Sequence, residues 1–358
     1  MHTKLFIPGP VDVSQRSYQA MVQGLVSHRS LEFEEIYRTV QSGLQKIFES
    51  KDPVFLITSS AWGALEGSLK NTCRKKALCC TSGAFSEKWY EVALANGIAA
   101  DALKHDWGTP IDPNRVEEAL KTGDYDAITI VHSETSTGTY NPVKEIMEVV
   151  KQFPEVISLV DTVSSFSGAP TPKDAWGVDV IVTGVQKALA LPPGLALASV
   201  SNRALERAKA VPHRGYYFDF LELNQKHANN TTVTTPAIAL IYALKDKVEE
   251  IESEGLKTRF ERHARLNKRV HDWVEKQGLS LFPEKKYAAK TLSCIRNTRN
   301  IDLPAFNQAL KDEFSFCIDG GYGKLKGKTL RISNMGNETE ASMQALLDAM
   351  DVLIERFA

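Results

Sequence analysis

The residue with the clearest chemical potential is Lys187, which follows the apolar run Val178-Asp179-Val180-Ile181-Val182 after a short polar turn. A lysine just beyond a buried strand is either a surface residue at the strand exit or an amine held rigidly in the interior. An interior amine that can lose its proton forms a Schiff base with an aldehyde or ketone. Position alone leaves both interpretations open.

Three further groups follow or lie on predicted strands and would complement such an amine. Asp161 ends the run Ile157-Ser158-Leu159-Val160 and is either a helix cap or a carboxylate that pairs with a protonated ring nitrogen. Thr58-Ser59-Ser60 lies between a strand and a helix, where hydroxyls and free backbone N–H groups bind a phosphate or only cap the helix. Arg331, within Leu330-Arg331-Ile332, binds a carboxylate with its planar fork or forms a structural ion pair.

The elements that must position these groups are short apolar runs that alternate with helical stretches. The apolar runs lie at residues 54–57, 77–80, 127–131, 157–160, 178–182 and 195–200. Continuous apolar strands separated by helices predict an α/β fold with a mostly parallel sheet covered on both faces. Ligands bind at the carboxyl ends of the strands in such sheets, and the candidate residues lie just after those strands.

The length of the chain predicts two domains. Its 358 residues exceed the usual size of one compact core, so a large domain with a smaller one is expected. Residues 238–274 read as a long amphipathic helix with a break at Gly255, followed by short strands and a last helix over 338–357. We expect an N-terminal segment at 1–14, a large domain at 15–252 and a small C-terminal α+β domain at 253–358.

Composition and charge exclude several classes of protein. Hydrophobic residues make up 43% and charged residues 24%, and the formal net charge of -1 favours neither nucleic acid nor an anionic membrane as partner. The five cysteines contain no Cys-x-x-Cys pair, and the histidines show no metal-ligand spacing. No apolar run is long enough to span a bilayer. We expect a cytoplasmic protein that binds no metal.

Three motifs resemble those of the class V aminotransferases, which use pyridoxal-5′-phosphate (PLP). They are Asp161-Thr162-Val163-Ser164-Ser165, the segment 184–194 (Gly-Val-Gln-Lys-Ala-Leu-Ala-Leu-Pro-Pro-Gly) and His132-Ser133-Glu134-Thr135-Ser136-Thr137-Gly138. The segment 184–194 is specific, and the resemblance runs from Pro8-Gly9-Pro10 to the last helix. The nearest branch looks like the alanine–glyoxylate and serine–pyruvate aminotransferases.

The resemblance implies a fold, a reaction and a role for each matching residue. The fold would be PLP-dependent transferase fold type I, with a mostly parallel seven-stranded sheet between helices. The reaction would be ping-pong transamination between a small amino acid (alanine, serine or glycine) and glyoxylate or pyruvate. Lys187 matches the lysine that carries PLP, Asp161 the partner of its ring nitrogen, and Arg331 the arginine that binds the substrate carboxylate. Further cofactor contacts would come from Val163 and Phe85 on the ring faces, Thr135 beside the ring oxygen, and Ser60, Ala61, Trp62 and Gln186 at the phosphate.

The chain departs from the family's usual residues at three of these places. Family members often have Trp where this chain has Phe85, which keeps the stacking surface and loses an indole donor. They often have Gly-His at Ala61-Trp62, so only backbone donors carry over there. Thr231 and Thr234 match a loop that reaches the phosphate of the neighbouring subunit, although Thr231 replaces a common Tyr. This loop implies a homodimer with active sites at the subunit interface.

Three alternatives remain open. Ser27-His28-Arg29-Ser30 resembles a segment that phosphoserine aminotransferases use near the substrate phosphate, although the His-Arg pair also looks common among microbial alanine–glyoxylate enzymes. A cysteine desulfurase needs a reactive thiol over the cofactor. Cys317 comes before the Gly320-Gly321 turn, whereas the desulfurase cysteine comes after it, so Cys317 is expected to be a packed core residue. Members of this branch have also been described as subunits of hydrogenases, which would be a non-catalytic role.

Overall fold

The computed structural model describes residues 2–357, which form an α/β protein. The strands are β1 (Lys4–Leu5), β2 (Val54–Ile57), β3 (Ala77–Thr81), β4 (Ala100–Lys104), β5 (Ala127–Val131), β6 (Ser133–Glu134), β7 (Thr139–Tyr140), β8 (Ile157–Asp161), β9 (Val180–Gly184), β10 (Ala196–Val200), β11 (Ser280–Leu281), β12 (Leu292–Arg296), β13 (Phe316–Cys317) and β14 (Thr329–Ser333). The helices are α1 (Gln15–Met21), α2 (Leu31–Phe48), α3 (Ala61–Thr72), α4 (Ala84–Ala95), α5 (Pro113–Leu120), α6 (Val143–Val150), α7 (Lys173–Trp176), α8 (Asn202–Lys209), α9 (Phe220–His227), α10 (Ile238–Glu254), α11 (Leu256–Lys276), α12 (Leu303–Phe314) and α13 (Glu340–Phe357).

A seven-stranded sheet organises the first two thirds of the chain, with the strand order β2-β10-β9-β8-β5-β3-β4. Strand β10 runs antiparallel to both of its neighbours, and the other pairings are parallel. Apart from β4, every strand of this sheet is buried along its whole length, because helices cover both faces. The predicted mostly parallel seven-stranded sheet is confirmed.

The two faces of this sheet belong to two separate hydrophobic clusters. Successive residues of β2 alternate between them: Leu56 packs in the cluster that contains Tyr37 of α2, and Ile57 packs in the cluster that contains Leu65 of α3. This alternation follows from the pleat of a strand, which points neighbouring side chains to opposite faces. The sheet is therefore anchored on both sides, and its carboxyl edge forms a rigid base for a site.

The C-terminal third has its own sheet and its own hydrophobic cluster. The predicted helix over 238–274 is two helices, α10 and α11, which meet at Gly255 with φ +81°. A three-stranded antiparallel sheet of order β11-β12-β14 packs with α11, α12 and α13 around side chains such as Leu266 and Leu346. Phe6 from the N-terminal segment belongs to the same cluster, because β1 pairs in parallel with β13.

Two absences hold for the described residues, 2–357. None of their helices is both long enough and apolar enough to cross a membrane. Their histidine, cysteine and acidic side chains form no group that could hold a metal ion.

Candidate active site

Lys187 and Asp161 are brought together by two adjacent strands. Asp161 is the last residue of β8 and pairs with Val182 of β9, while Lys187 follows the end of β9. The carboxyl ends of parallel neighbours meet at the same edge of a sheet. Both residues line one pocket, whose wall is formed by Ser60, Ala61, Trp62, Leu65, Phe85, Val131, Thr135, Asp161, Val163, Gln186 and Lys187.

The amine of Lys187 points into this pocket region and donates a hydrogen bond to the carbonyl oxygen of Pro8. Gly9 passes so close that a Cβ there would lie 2.5 Å from Cδ of Lys187, and its φ of +112° also favours glycine. Burial lowers the pKa of Lys187 to about 8, and the charge of Arg331 acts in the same direction. The neutral, nucleophilic amine is therefore accessible near physiological pH.

The carboxyl group of Asp161 is buried, and its hydrogen bonds do not fully offset the cost of burying its charge. Its side chain accepts a hydrogen bond from the backbone N–H of Val163 at 2.7 Å. Burial raises the pKa of Asp161 to about 7, although the Val163 N–H and the charge of Lys187 act in the opposite direction. A cationic N–H group next to this carboxylate would offset the cost of burying it, which is what a protonated pyridine nitrogen provides.

The N-terminus of α3 closes the other end of the pocket. Ser60 is its N-cap residue but makes no side-chain capping bond, and the N–H groups of Ala61 and Trp62 form no hydrogen bond with the described chain. Such a terminus carries a partial positive charge and free donors, a combination that binds phosphate. The hydroxyl of Tyr217 donates to the carbonyl oxygen of Thr58 at 2.8 Å and fixes the preceding loop.

Phe85 and Val163 both line the pocket, as expected for residues on the two faces of a ring. One face of Phe85 is covered by Tyr322, with the ring centroids 5.2 Å apart and the planes 17° from parallel. The hydroxyl of Thr135 is hydrogen-bonded to that of Ser164, which holds it in place. The pocket therefore offers a flat aromatic surface on one side and an aliphatic side chain as a further wall.

Glu134 orients these residues and was not anticipated from the sequence. It is fully buried, and its carboxylate accepts hydrogen bonds from the N–H groups of Phe85 at 3.3 Å and Ser86 at 3.0 Å. It also accepts from the Ser136 hydroxyl at 2.6 Å. A carboxylate at the N-terminus of α4 is favourable because of the helix dipole. The sequence feature that could have indicated this role is a glutamate within the Ser/Thr-rich stretch that follows β5.

Arg331 lies on β14 with only 4% of its surface exposed. Its Nε donates to Oδ1 of Asp319 at 2.7 Å, and its Nη1 donates to the carbonyl oxygen of Thr135 at 2.9 Å. The structural ion pair that the sequence left open as an alternative therefore exists. The guanidinium nevertheless stays close to the Lys187 pocket. Thr135, which accepts from Arg331, also lines the Lys187 pocket, and the Arg331 charge acts on Lys187.

Arg259 stabilises the turns that carry the site residues, through hydrogen bonds to their backbone carbonyl oxygens. It is completely buried and pairs with Glu254 through Nη1 at 2.9 Å. Its Nη2 donates to the carbonyl oxygen of Ala188 at 2.7 Å, and its Nε donates to that of Ser167 at 3.0 Å. These acceptors lie in the turns that follow Lys187 and Asp161. The sequence alone gave no reason to single out this arginine on α11.

Besides Arg331, four predicted residues do not line the pocket. The Thr231 hydroxyl donates to the carbonyl oxygen of His28 at 3.2 Å. Thr234 lines a separate small cleft next to Thr58. His28 is half-buried and Arg29 is exposed, on the connection between α1 and α2. Within one chain the structure therefore keeps all four outside the wall around Lys187.

Cys317 is not the packed core residue that the sequence predicted. It is only half-buried, because β13 is a two-residue strand in a two-stranded sheet with β1. Burial still raises the pKa of its thiol, which is the opposite of what a reactive thiolate needs.

Residues 12–346 match the family Aminotransferase class-V. The chain is 33% identical to an uncharacterized aminotransferase of Methanocaldococcus jannaschii, over 98% of this chain and 92% of that one. It is 29% identical to a protein named soluble hydrogenase, small subunit, from a Synechococcus species, again over 98% and 92%. It is 28% identical to a serine–glyoxylate aminotransferase of Methylorubrum extorquens, over 95% and 88%.

Among solved structures, an alanine–glyoxylate aminotransferase from a Nostoc species superposes with a TM-score of 0.93 at 28% identity, covering 99% of this chain and 96% of that one. The fold, the site and these matches define an aminotransferase. The chain belongs to the class V aminotransferase family, so the relationship predicted from its motifs is confirmed.

Proposed function

We propose that this aminotransferase uses PLP held by Lys187 and transfers the amino group of a small amino acid to glyoxylate or pyruvate. One observation carries the proposal: the amine of Lys187 and the buried carboxyl group of Asp161 share a pocket with an uncapped helix N-terminus. An amine, an acid and a phosphate site are the three attachments that PLP requires. The names of the Methylorubrum and Nostoc relatives support glyoxylate as an acceptor.

The residues of the pocket fit PLP one by one. Asp161 would hold the proton on the ring nitrogen, and the N–H groups of Ala61 and Trp62 would bind the phosphate together with Ser60 and Gln186. Phe85 and Val163 would pack on the ring, and Thr135 would lie beside its oxygen. When bound, PLP supplies an electron sink for the substrate carbanion.

Lys187 would also move the proton during the reaction. With a substrate bound, the free Nζ of Lys187 would accept the proton from the substrate α-carbon and would return it to the carbon on the other side of the amino nitrogen, two atoms away. A pKa lowered to about 8 suits an amine that must alternate between the neutral and the charged form near neutral pH. Arg331 would bind the substrate carboxylate through the part of its guanidinium that Asp319 and Thr135 leave free. Two half-reactions on one cofactor require ping-pong kinetics.

The alternatives have less support. Phosphoserine would need His28 and Arg29, and neither lines the pocket of its own chain. A cysteine desulfurase would need a thiol over the cofactor, and none of the five cysteines lines the pocket wall. The Synechococcus relative carries a hydrogenase name, but a non-catalytic subunit would not need the Lys187–Asp161 arrangement.

We further propose a homodimer whose active sites lie at the subunit interface, and a cytoplasmic location. The connection between α1 and α2, together with the first residue of α2, exposes large apolar side chains: Val22 is 85% exposed, Leu25 72% and Leu31 82%. Such a patch is typical of a surface covered by another subunit. The same connection carries His28 and Arg29, and Thr231 contacts it. A second subunit would explain why Thr231 and Thr234 lie outside the pocket of their own chain.

We also propose that the two clusters on the faces of the seven-stranded sheet belong to a large PLP-binding domain at 15–252 and that the C-terminal cluster belongs to a small domain at 253–358, with residues 1–14 as an N-terminal segment. The break between α10 and α11 at Gly255 and the separate cluster around Leu266 support this division.

The experiment that tests the proposed function is reductive trapping. The protein is mixed with PLP, treated with borohydride and digested, and the modified peptide is identified by mass spectrometry. We expect the label on Lys187, loss of the label in Lys187→Ala, and an unchanged label in the exposed-surface control Lys121→Ala. Transamination is then measured with alanine, serine, glycine and phosphoserine against glyoxylate and pyruvate. Label on another lysine, or full activity in Lys187→Ala, would refute the proposal.

A further inference from the structure

The guanidinium of Arg331 is fixed from two sides. Asp319 Oδ1 accepts from Nε at 2.7 Å, and the carbonyl oxygen of Thr135 accepts from Nη1 at 2.9 Å. The backbones of Asp319 and Arg331 also exchange two hydrogen bonds, at 2.8 and 3.2 Å. Nη2 has no hydrogen-bond partner in the described chain. One part of the arginine is thus left for a ligand, in a set orientation.

Asp319 is itself held in place. Its Oδ1 accepts a second hydrogen bond, at 2.7 Å, from the N–H of Gly321. Gly321 has φ +88°, and a Cβ at this position would collide with the carbonyl oxygen of Leu325, so only glycine fits the turn. Oδ2 of Asp319 accepts no hydrogen bond from the described residues, and 28% of the side chain is exposed. The carboxylate therefore presents a negative charge whose ion-pair partner among the described residues is Arg331.

The charges around Lys187 show which group balances Arg331. Arg331 acts on Lys187 as a positive charge, and Asp161, Asp319 and Glu134 act as negative charges. Asp161 lies at the end of β8, and Glu134 is bound by the N–H groups at the start of α4. Asp319 is thus the acid whose charge balances that of Arg331. The pair therefore offers an oriented hydrogen-bond donor to one substrate carboxylate, and it has no net positive charge that would attract a second carboxylate.

Tyr322 completes this end of the site. Cζ of Arg331 lies 5.6 Å from the centroid of the Tyr322 ring, and that ring is stacked on Phe85. The guanidinium is therefore bordered by an aromatic face, the Asp319 carboxylate and the Thr135 carbonyl. None of these three neighbours attracts a second anionic group on a substrate.

We propose that Asp319 is a specificity-determining residue that selects amino acids and oxo acids with a single carboxylate and disfavours those with a second anionic group, such as aspartate. This inference rests on the proposed function, since it concerns which substrates reach Lys187. The physical reason is that a second carboxylate on the substrate meets the Asp319 charge in a partly desolvated site, where like charges repel more strongly than in water.

The test compares two substrates and two non-reacting acids across matched variants. Rates of the first half-reaction are measured for alanine and aspartate, and calorimetry gives the affinities of propionate and succinate for the PLP-loaded protein. Asp319→Asn removes the charge and keeps an oxygen that accepts from Arg331 and Gly321. We expect it to shift the alanine-to-aspartate rate ratio by about tenfold towards aspartate and to strengthen succinate binding relative to propionate.

Two further variants keep the test decisive. Asp319→Glu retains the charge and should retain the wild-type ratio. Asp312→Asn removes a charge from the exposed face of α12, where Asp312 accepts hydrogen bonds from Gln308, and should also leave the ratio unchanged. An unchanged ratio in Asp319→Asn, or an equal loss for both substrates, overturns the inference. If the wild-type protein transaminates neither substrate, the proposed function fails, and the succinate and propionate affinities alone decide the role of Asp319.

Discussion

Arg259 donates a hydrogen bond from Nη2 to the carbonyl oxygen of Ala188 at 2.7 Å, and Ala188 is the residue next to Lys187. The same guanidinium reaches the carbonyl oxygen of Ser167, in the turn after Asp161. One buried side chain on α11 thus holds the two turns that carry the amine and the acid of the site. The relative position of these groups depends on a residue that touches neither of them.

Replacing Arg259 with Met is expected to weaken both the fold and the binding of PLP. The change leaves the carbonyl oxygens of Ala188 and Ser167 without their donor, while Glu254 keeps Arg262 as a partner. Each buried acceptor that is left unpaired costs about 1–3 kcal/mol in the free energy of unfolding. Urea unfolding and PLP titration measure the two effects. Arg262→Met is the matched control, because Arg262 also pairs with Glu254 but otherwise binds the carbonyl oxygens of Gly336 and Glu338. Equal losses of PLP affinity in both variants would contradict a role through the two turns.

Asp161→Asn is expected to slow transamination by about 10²- to 10³-fold, because the ring nitrogen loses its charged partner. The measurement is the rate of the first half-reaction with alanine, with Asp312→Asn as an exposed control. A variant that keeps the wild-type rate would show that Asp161 does not hold a proton on the cofactor.

Asp161→Asn is also expected to change how the stability of the PLP-free protein depends on pH. The pKa of Asp161 in the folded state is raised to about 7, above its ordinary value, so folding favours the protonated form. Its contribution to stability is full at acid pH and is lost as the pH rises through about 7. Asp161→Asn should therefore gain stability over the wild type at pH 8, and the difference should shrink towards pH 5. Thermal unfolding at several pH values decides this, and a difference that grows towards acid pH would be the contrary result.

Capture of PLP by the PLP-free protein should depend on pH through Lys187. Its pKa is lowered to about 8, so the fraction of neutral amine, and with it the rate of PLP attachment, should rise as the pH passes through that value. Because Arg331 contributes to the lowered pKa, Arg331→Met should move the profile to higher pH. Absorption changes after mixing with PLP give the rates. A profile that does not move in Arg331→Met would show that the two charges are not coupled.

An acidic side chain in the exposed patch between α1 and α2 should separate the subunits. Leu25 is 72% exposed, so Leu25→Asp costs little in a monomer but would place a charge in the proposed interface. We expect dissociation in analytical ultracentrifugation and a loss of PLP affinity. Val352→Asp, at a 57% exposed position on α13, is the control and should stay associated. A Leu25→Asp protein that remains a dimer would place the interface elsewhere.

The sequence predicted most of the sheet because its inner strands are continuous apolar runs. It did not reveal β4, one of the two edge strands, whose residues from Asp101 onwards are half-buried or exposed and include Lys104. The other edge strand, β2, is buried along its length and was predicted from its apolar run. An edge strand tolerates charge where it is exposed, so β4 lacks the apolar signal. The prediction that Cys317 is a packed core residue was wrong for a similar reason. An apolar run over 314–318 does not show that the strand is short and lies at the periphery of the protein.

The parts of the candidate site that follow strands could be placed from sequence order, as with Lys187 and Asp161. The contacts that orient them could not. Pro8 meets Lys187 across 179 positions in the chain, and Arg331 meets the Thr135 carbonyl across 196. Such pairs depend on how the sheets pack, and neither residue type nor spacing encodes them. The residues Thr231 and Thr234 illustrate the same limit, since their predicted role requires a second chain.

Residues 4–8 join two parts of the site directly. Strand β1 is hydrogen-bonded to β13, the strand that leads into Asp319, while the Pro8 carbonyl accepts from Lys187. Only Phe6 and Ile7 lie between β1 and Pro8, and a chain extends by at most about 3.5 Å per residue, so there is little slack to absorb a displacement. Any shift of the turn at Asp319, which orients Arg331, would displace the Pro8 carbonyl oxygen that accepts from the amine of Lys187. Substitutions in this short tether would thus alter the reactivity of Lys187 from outside the pocket wall.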